Sequence, residues 1–177
     1  MTVLAPKTTG ISYTSEKELE MMKQLYDVDK LFDEATNMGE VRESFINIAN
    51  REIAYRNLEG VTYEDVLNDI EEFTKGIIYR KDASKLEKIV IGMRQIVGFM
   101  LEKKFLIDRE VLTCASKVDY LIYVIRNNAK TLEKYQGHYL LDVEVPEEHR
   151  KRIGRIKKAN EEAYYYITKK WQGQAES

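Results

Sequence analysis

Cysteine, proline and glycine are scarce in this chain: it has one cysteine, Cys114, two prolines, Pro6 and Pro146, and nine glycines in 177 residues. A lone cysteine excludes an intramolecular disulfide, a zinc knuckle and a CxxC redox pair, and fits a reducing compartment. So little Pro and Gly denies the interior the turn punctuation that a sheet of many short strands needs. No window approaches the roughly 18 apolar residues of a membrane span. The start, Met1-Thr-Val-Leu-Ala-Pro-Lys, lacks the charged and then apolar run of a secretion signal. A cytoplasmic protein with no membrane partner is the expectation.

The motifs of catalysis are also missing. There is no P-loop, GxGxxG or GxSxG, so phosphate-cradling loops and nucleophile elbows lack their defining residues. His138 and His149 stand eleven apart without a Cys or HExxH context, which argues against a metal site. Neither histidine follows an Arg at the spacing of helical ribonucleases. Adjacent carboxylates such as Glu71/Glu72 and Glu161/Glu162 diverge by about 100° on a helix and do not converge on one reacting atom. Cys114 beside Ala115 reads as packing. The expectation is a non-enzyme without cofactor, catalytic residue or metal ligand.

What the chain does contain is apolar residues, 44% of the total, interleaved with 33% charged ones, the composition of amphipathic helices with charged outer faces. An all-α single domain of about five to six helices follows. Residues 1–14 carry no helical period and read as a flexible arm. Ser15-x-x-Glu18 has the form of a capping box opening a helix to about Thr36. A second helix spans about 40–57, and Thr62-x-x-Asp65 opens a third. Ser84-x-x-Glu87 opens a fourth over 85–104, whose apolar face of Ile89, Met93, Ile96, Val97 and Met100 marks it as the central one. Gly92 and Gly98 lie inside it, and close approach of a neighbouring helix would explain their cost in helix propensity. A fifth helix covers about 109–135. Residues 136–145 are the one stretch whose pattern admits an extended chain in place of a helix. Pro146 opens a last helix to about Trp171, completing a domain over 15–171 ahead of a frayed tail at 172–177.

Charge is distributed unevenly. Residues 16–72 hold 16 acidic and 6 basic side chains, whereas 73–177 hold 14 acidic and 21 basic. The segment His149-Arg150-Lys151-Arg152-Ile153-Gly154-Arg155-Ile156-Lys157-Lys158 has no acid. On a helix Lys151, Arg155 and Lys158 share a face, with Arg152 adjacent, in a stripe about 10 Å long. Arg126, Lys130 and Lys134 would form a second basic row on the fifth helix. Tyr164, Tyr165 and Tyr166 point in three directions, so at least one is expected to be accessible for base stacking.

From residue 82 onward the order of features resembles the small helical subunit of type III CRISPR interference complexes. The stretches that carry the resemblance are Asp82-Ala83-Ser84-Lys85-Leu86, Leu121-Ile122-Tyr123-Val124-Ile125-Arg126, and Glu162-Ala163-Tyr164-Tyr165-Tyr166-Ile167-Thr168-Lys169-Lys170 ahead of Gly173. The resemblance implies a filament subunit that lines a guide-target duplex and touches backbone phosphate without reading sequence. The candidate phosphate contacts are Arg126, Lys130, Arg150, Lys151, Arg152, Arg155, Lys157 and Lys158. Expected partners are nucleic acid, RNA rather than DNA, and other protein subunits or further copies of the chain. The alternative is a helical interaction module, accessory or viral, that docks a basic partner through its acidic first half.

Overall fold

The computed structural model describes residues 1–80, 82–99, 106–138 and 143–175. Among them are seven α-helices and no strand: α1 Glu18–Glu34, α2 Met38–Tyr55, α3 Tyr63–Tyr79, α4 Ala83–Ile96, α5 Leu112–Arg126, α6 Glu147–Ala159 and α7 Glu161–Ala175. Short 3-10 turns occupy Thr2–Leu4 and Val97–Phe99, and a π-helical turn, Ile107–Val111, leads into α5.

The centre of the bundle is α5, not α4. It packs on α1, α3 and α7, and of its 15 residues only Thr113, Tyr123 and Arg126 are not buried. Helix α4 buries Ile89, Gly92 and Ile96 and leans on α1. Its outer stripe stays in water. Met100 and the expected continuation to 104 lie outside the described residues. Gly92 has the close neighbour its position suggested, because a Cβ there would lie 2.3 Å from the Glu18 carbonyl oxygen. Gly98 does not, with nothing within 4 Å of the equivalent point.

The helix starts follow local chemistry to differing degrees. At Thr62 the capping box forms in full: the hydroxyl accepts from the Asp65 amide, and the Asp65 carboxylate accepts from the Thr62 amide at 2.8 Å. Ser15 does not cap α1, since its hydroxyl turns back to the Ser12 carbonyl. Asp82 takes the place expected of Ser84, accepting from the amides of Ser84 and Lys85 at 3.0 and 3.2 Å. A carboxylate near a helix start gains from the dipole as well as the bonds, so Asp82 wins.

The first residues hold no α-helix, as expected of an arm, and they make contacts with the bundle. Leu4 and Ala5 are buried. Asp69 of α3 accepts from the Lys7 amide at 2.7 Å and the Thr8 hydroxyl at 2.9 Å. Gly10 closes the turn, donating to the Ala5 carbonyl at 2.6 Å. Val3, Leu4 and Ala5 are too few to show a period, yet they are apolar enough to be worth burying. Of the stretch 136–145, residues 139–142 lie outside the described residues, and the remainder is irregular coil.

Two expected helices end early. Helix α5 stops at Arg126 because Asn128 adopts the left-handed conformation at φ 50°. The amides of Ala129 and Asn128 then bond back to the carbonyls of Val124 and Ile125, at 3.1 and 3.2 Å, in a Schellman closure. The last helix is two. Asn160 breaks it at φ −153° and restarts it, its side-chain oxygen accepting from the Ala163 amide at 3.1 Å. Its Nδ2 also donates to the Arg109 carbonyl at 3.1 Å and the Thr113 hydroxyl at 3.0 Å, which ties the α6–α7 corner to the start of α5.

Candidate nucleic-acid interface

Helix α6 begins after Pro146, with Glu147 and Glu148 at its positive end and Lys157 and Lys158 at its negative end, the arrangement that complements a helix dipole. Ile153 and Ile156 are buried against the rest of the bundle. Arg152 fixes the orientation. Its Nε donates to the Ile78 carbonyl at 2.9 Å, satisfying a backbone acceptor in the last turn of α3 that has no helical partner. Asp108 lies 3.6 Å from the same guanidinium and 2.7 Å from that of Arg80. Burial, and then the neighbouring Arg80 charge, pull the Arg152 pKa below its ordinary value. Arg152 therefore anchors the helix, and Lys157 packs its ammonium 5.3 Å above the Tyr164 ring.

Arg150, Lys151, Arg155 and Lys158 remain. All four are exposed, and none forms an ion pair among the described residues. Lys151, Arg155 and Lys158 lie in one row, with Arg150 at its flank. With α6 mounted by Arg152 and its two isoleucines, the row is held on a fixed element of the fold.

The second basic row does not exist. Arg126 ends α5 and is engaged by α3, with Glu71 at 3.1 Å, Glu64 at 3.5 Å and the Asn68 side-chain oxygen at 2.9 Å. Lys130 is exposed but lies past the Asn128 closure in coil, so it shares no helical face with Arg126. Lys134 reaches the carbonyl of Asp33 at the end of α1. Nor is any of the three tyrosines accessible. Tyr164, Tyr165 and Tyr166 are all buried, because α7 is enclosed by α5, α6 and the coil after α5. The Tyr166 hydroxyl accepts from the Tyr135 amide at 3.0 Å, and its ring meets Phe32 edge-on at 5.2 Å.

The charge asymmetry of the sequence is largely folded against itself. Lys117 of α5, almost fully buried, meets Asp33 at 2.8 Å, Asp29 at 3.0 Å and Glu162 at 3.5 Å. Lys88 meets Glu18 at 2.8 Å, and Lys85 meets Glu72 at 3.1 Å. Lys170 pairs with the buried Asp119. None of these cross-chain pairs has a local sequence signal. The Asp119–Lys170 pair lines a polar cleft of about 860 Å³, together with the stacked rings of Tyr79 and His149, whose centroids are 4.0 Å apart. Every ionisable side chain in that cleft has a partner of opposite charge or a stacked ring. The Cys114 thiol is buried, and desolvation, with Asp29 nearby, pushes its pKa well up. Among the described residues no group of three His, Cys, Asp or Glu is placed to hold a metal ion, and no helix is long and apolar enough to cross a membrane.

These pairs set a pH dependence. Burial opposes ionisation of Glu71, but hydrogen bonds from Lys75 and Arg126 outweigh it and hold the carboxyl below its ordinary value of 4.5. Lys7 and Lys85 do the same for Glu72, and Lys88 for Glu18. A lowered carboxyl pKa contributes stability that is present above the ordinary value and is lost as pH falls through the folded value. Asp69 acts in the opposite sense, its pKa raised by burial, so its protonation favours the fold. Hydrogen bonds from Thr62 and Ser84 also lower Asp65 and Asp82, so with five groups against one the urea midpoint is expected to fall as pH drops below about 4.5, and Glu71→Gln should flatten that fall. A midpoint that is constant from neutrality to pH 3 would contradict it.

No family model matches the chain, and no curated protein and no solved structure matches it either.

Proposed function

We propose that the protein binds the phosphate backbone of nucleic acid along the outer face of α6, as a non-catalytic subunit of a nucleoprotein assembly. The observation that carries this reading is the row Lys151, Arg155 and Lys158 with Arg150 beside it: exposed cations that lack acids, in a fold whose other basic residues are mostly matched. Such a row attracts a polyanion and is worth little to the fold itself. With the three tyrosines inside, α7 offers no exposed tyrosine for base stacking, and the reading rests on phosphate contact that ignores base sequence. The resemblance to small type III CRISPR subunits supports the same reading and favours RNA over DNA. The single buried thiol fits a cytoplasmic setting.

Fluorescence anisotropy with single-stranded RNA, duplex RNA and duplex DNA, each at two salt concentrations, tests the reading. The comparison protein carries Arg150→Ala, Lys151→Ala, Arg155→Ala and Lys158→Ala. Wild type is expected to bind with a steep salt dependence. The variant should lose about 0.7–0.9 in the slope of log K against log salt for each phosphate contact removed. Because all four side chains are exposed and lack ion pairs among the described residues, its melting temperature should match wild type. No binding by wild type at low salt, or unchanged binding by the variant, would sink the reading.

A further inference from the structure

The polar cleft that contains Asp119 and Lys170 draws its lining from α3, the start of α4, α5, the start of α6 and α7. Its volume of about 860 Å³ lies within the range of small-molecule sites. On α3, Glu72, Gly76 and Tyr79 follow one face at helical spacing. Glycine weakens a helix interior, and no close neighbour requires it here, since a Cβ on Gly76 would meet nothing within 4 Å. What the absent side chain provides is depth: the wall of the cleft recedes between Glu72 and Tyr79.

The Asp119 side chain is 1% exposed, and its Oδ2 accepts from the Lys170 ammonium. Its Oδ1 is met by the Thr74 hydroxyl at 3.5 Å. That hydroxyl has a single proton, and the Glu71 carbonyl takes it at 2.9 Å. Among the described residues Oδ1 is therefore a buried acceptor without a donor of its own, a costly state that a ligand N–H would relieve. The charge of the lining says what kind of donor fits. Lys75, Lys85, Arg126 and Lys170 are each held by an acid. Five carboxylates face these four cations, and Glu148, whose partner is His149, is the acid in excess. Burial, and then the charges of Asp119, Glu71 and Glu148, push the Tyr79 pKa up, so carboxylates of three helices lie about that ring. Two further rings, both partly exposed, complete the lining: Tyr123, one turn beyond Asp119 on α5, and Trp171, next to Lys170 on α7. Aromatic faces beside carboxylates favour an organic cation.

We infer that the cleft binds a small organic cation, a protonated primary amine on a flat apolar body, its ammonium donating to Asp119 Oδ1 and its body lying against Tyr123 and Trp171. One ammonium matches the one acid in excess. An anion would face that excess, and a polyamine would bring more positive charge than the lining balances. No residue of the α6 row lines the cleft. The inference does not rest on phosphate binding, and each can fail without the other.

Trp171 is the chain's one tryptophan, so its fluorescence, excited where tyrosine does not absorb, reads the cleft directly. Titrating the full chain with phenethylamine should give a saturable change in that emission. Phenylpropionate, the same ring with the opposite charge, should give none, and spermidine, charge without a ring, should bind about tenfold more weakly. Gly76→Leu fills the recess. Its melting temperature should equal or exceed that of wild type, because the added Cβ has room, while the response to phenethylamine is lost. Asp119→Asn with Lys170→Met removes both charges of the buried pair together and should weaken binding about tenfold or more. A wild type whose emission shows no saturable change with phenethylamine overturns the inference. So does an equal response to phenylpropionate, spermidine binding as tight as that of phenethylamine, or a folded Gly76→Leu variant that binds like wild type.

Discussion

Lys117→Met is expected to destabilise the protein by about 3–5 kcal/mol, the cost of stranding a buried charge. Methionine keeps most of the volume, so the change isolates the ammonium. Burial alone would lower the Lys117 pKa, yet Asp33, Asp29 and Glu162 together raise it above its ordinary value, and the group is held charged. Its stability contribution is therefore complete below the unfolded pKa of about 10.4 and is lost only as pH rises through the folded value. The carboxylate that loses most is Asp29, which is buried and keeps only the exposed Lys30 at 3.4 Å, whereas Asp33 and Glu162 reach water. Adding Asp29→Asn to the Lys117→Met variant should recover part of the loss. With whole-domain stabilities of about 5–15 kcal/mol, the single variant should melt about 10 °C or more below wild type in a calorimetric scan. A shift of only a degree or two would mean that water reaches the cluster and screens it.

Lys117 also shows which parts of the fold the sequence could convey. Helix class and approximate position are local properties, set by apolar spacing and by caps such as Thr62 with Asp65, and they read correctly. Rank within the bundle is not local. Helix α4 looked central because its apolar face is broad, whereas α5 contains Ser116, Lys117 and Asp119, all of which are buried. Those three are tolerated inside because the Leu112 carbonyl, the α1 acids and Lys170 satisfy them. The Leu112 carbonyl is local, but no window of sequence around α5 contains the α1 acids or Lys170.

Ends were harder to read than starts. Asn128 and Asn160 terminate helices in chain whose apolar spacing continues past them, as Leu132 and Ala163 show, so periodicity alone runs straight through both breaks. The candidate site inherited these errors. The row of Arg126, Lys130 and Lys134 presumed a helix that Asn128 stops. The accessible tyrosine presumed a surface helix where α7 is enclosed. Lys151, Arg155 and Lys158 do form one exposed row, because the helix they needed is a local property and no acid from another element pairs with them among the described residues. The cleft that contains Asp119 and Lys170 had no signal at all, since it exists only through the distances between helices.

The approach of α1 to α4 gives a second large effect, of opposite sign at two glycines. In a helix interior Gly→Ala ordinarily stabilises by about 1 kcal/mol. At Gly154, on the solvent side of α6, an added Cβ meets nothing within 4 Å, and Gly154→Ala should deliver that gain. At Gly92 the same Cβ would lie 2.3 Å from the Glu18 carbonyl oxygen, 2.7 Å from its carbon and 2.8 Å from Met22 Cγ. Two of those atoms are backbone, so no rotamer change relieves the clash, and α1 must retreat. Overpacking of this kind costs about 1–3 kcal/mol, and the bulkier Gly92→Val should exceed that. Retreat of α1 would also stretch the Lys88–Glu18 pair at the same contact. Urea denaturation of the three variants should order them Gly154→Ala above wild type, then Gly92→Ala, then Gly92→Val. If Gly92→Ala proved as stabilising as Gly154→Ala, the two helices would stand further apart than the clash requires, and Gly92 would have no structural reason to be glycine.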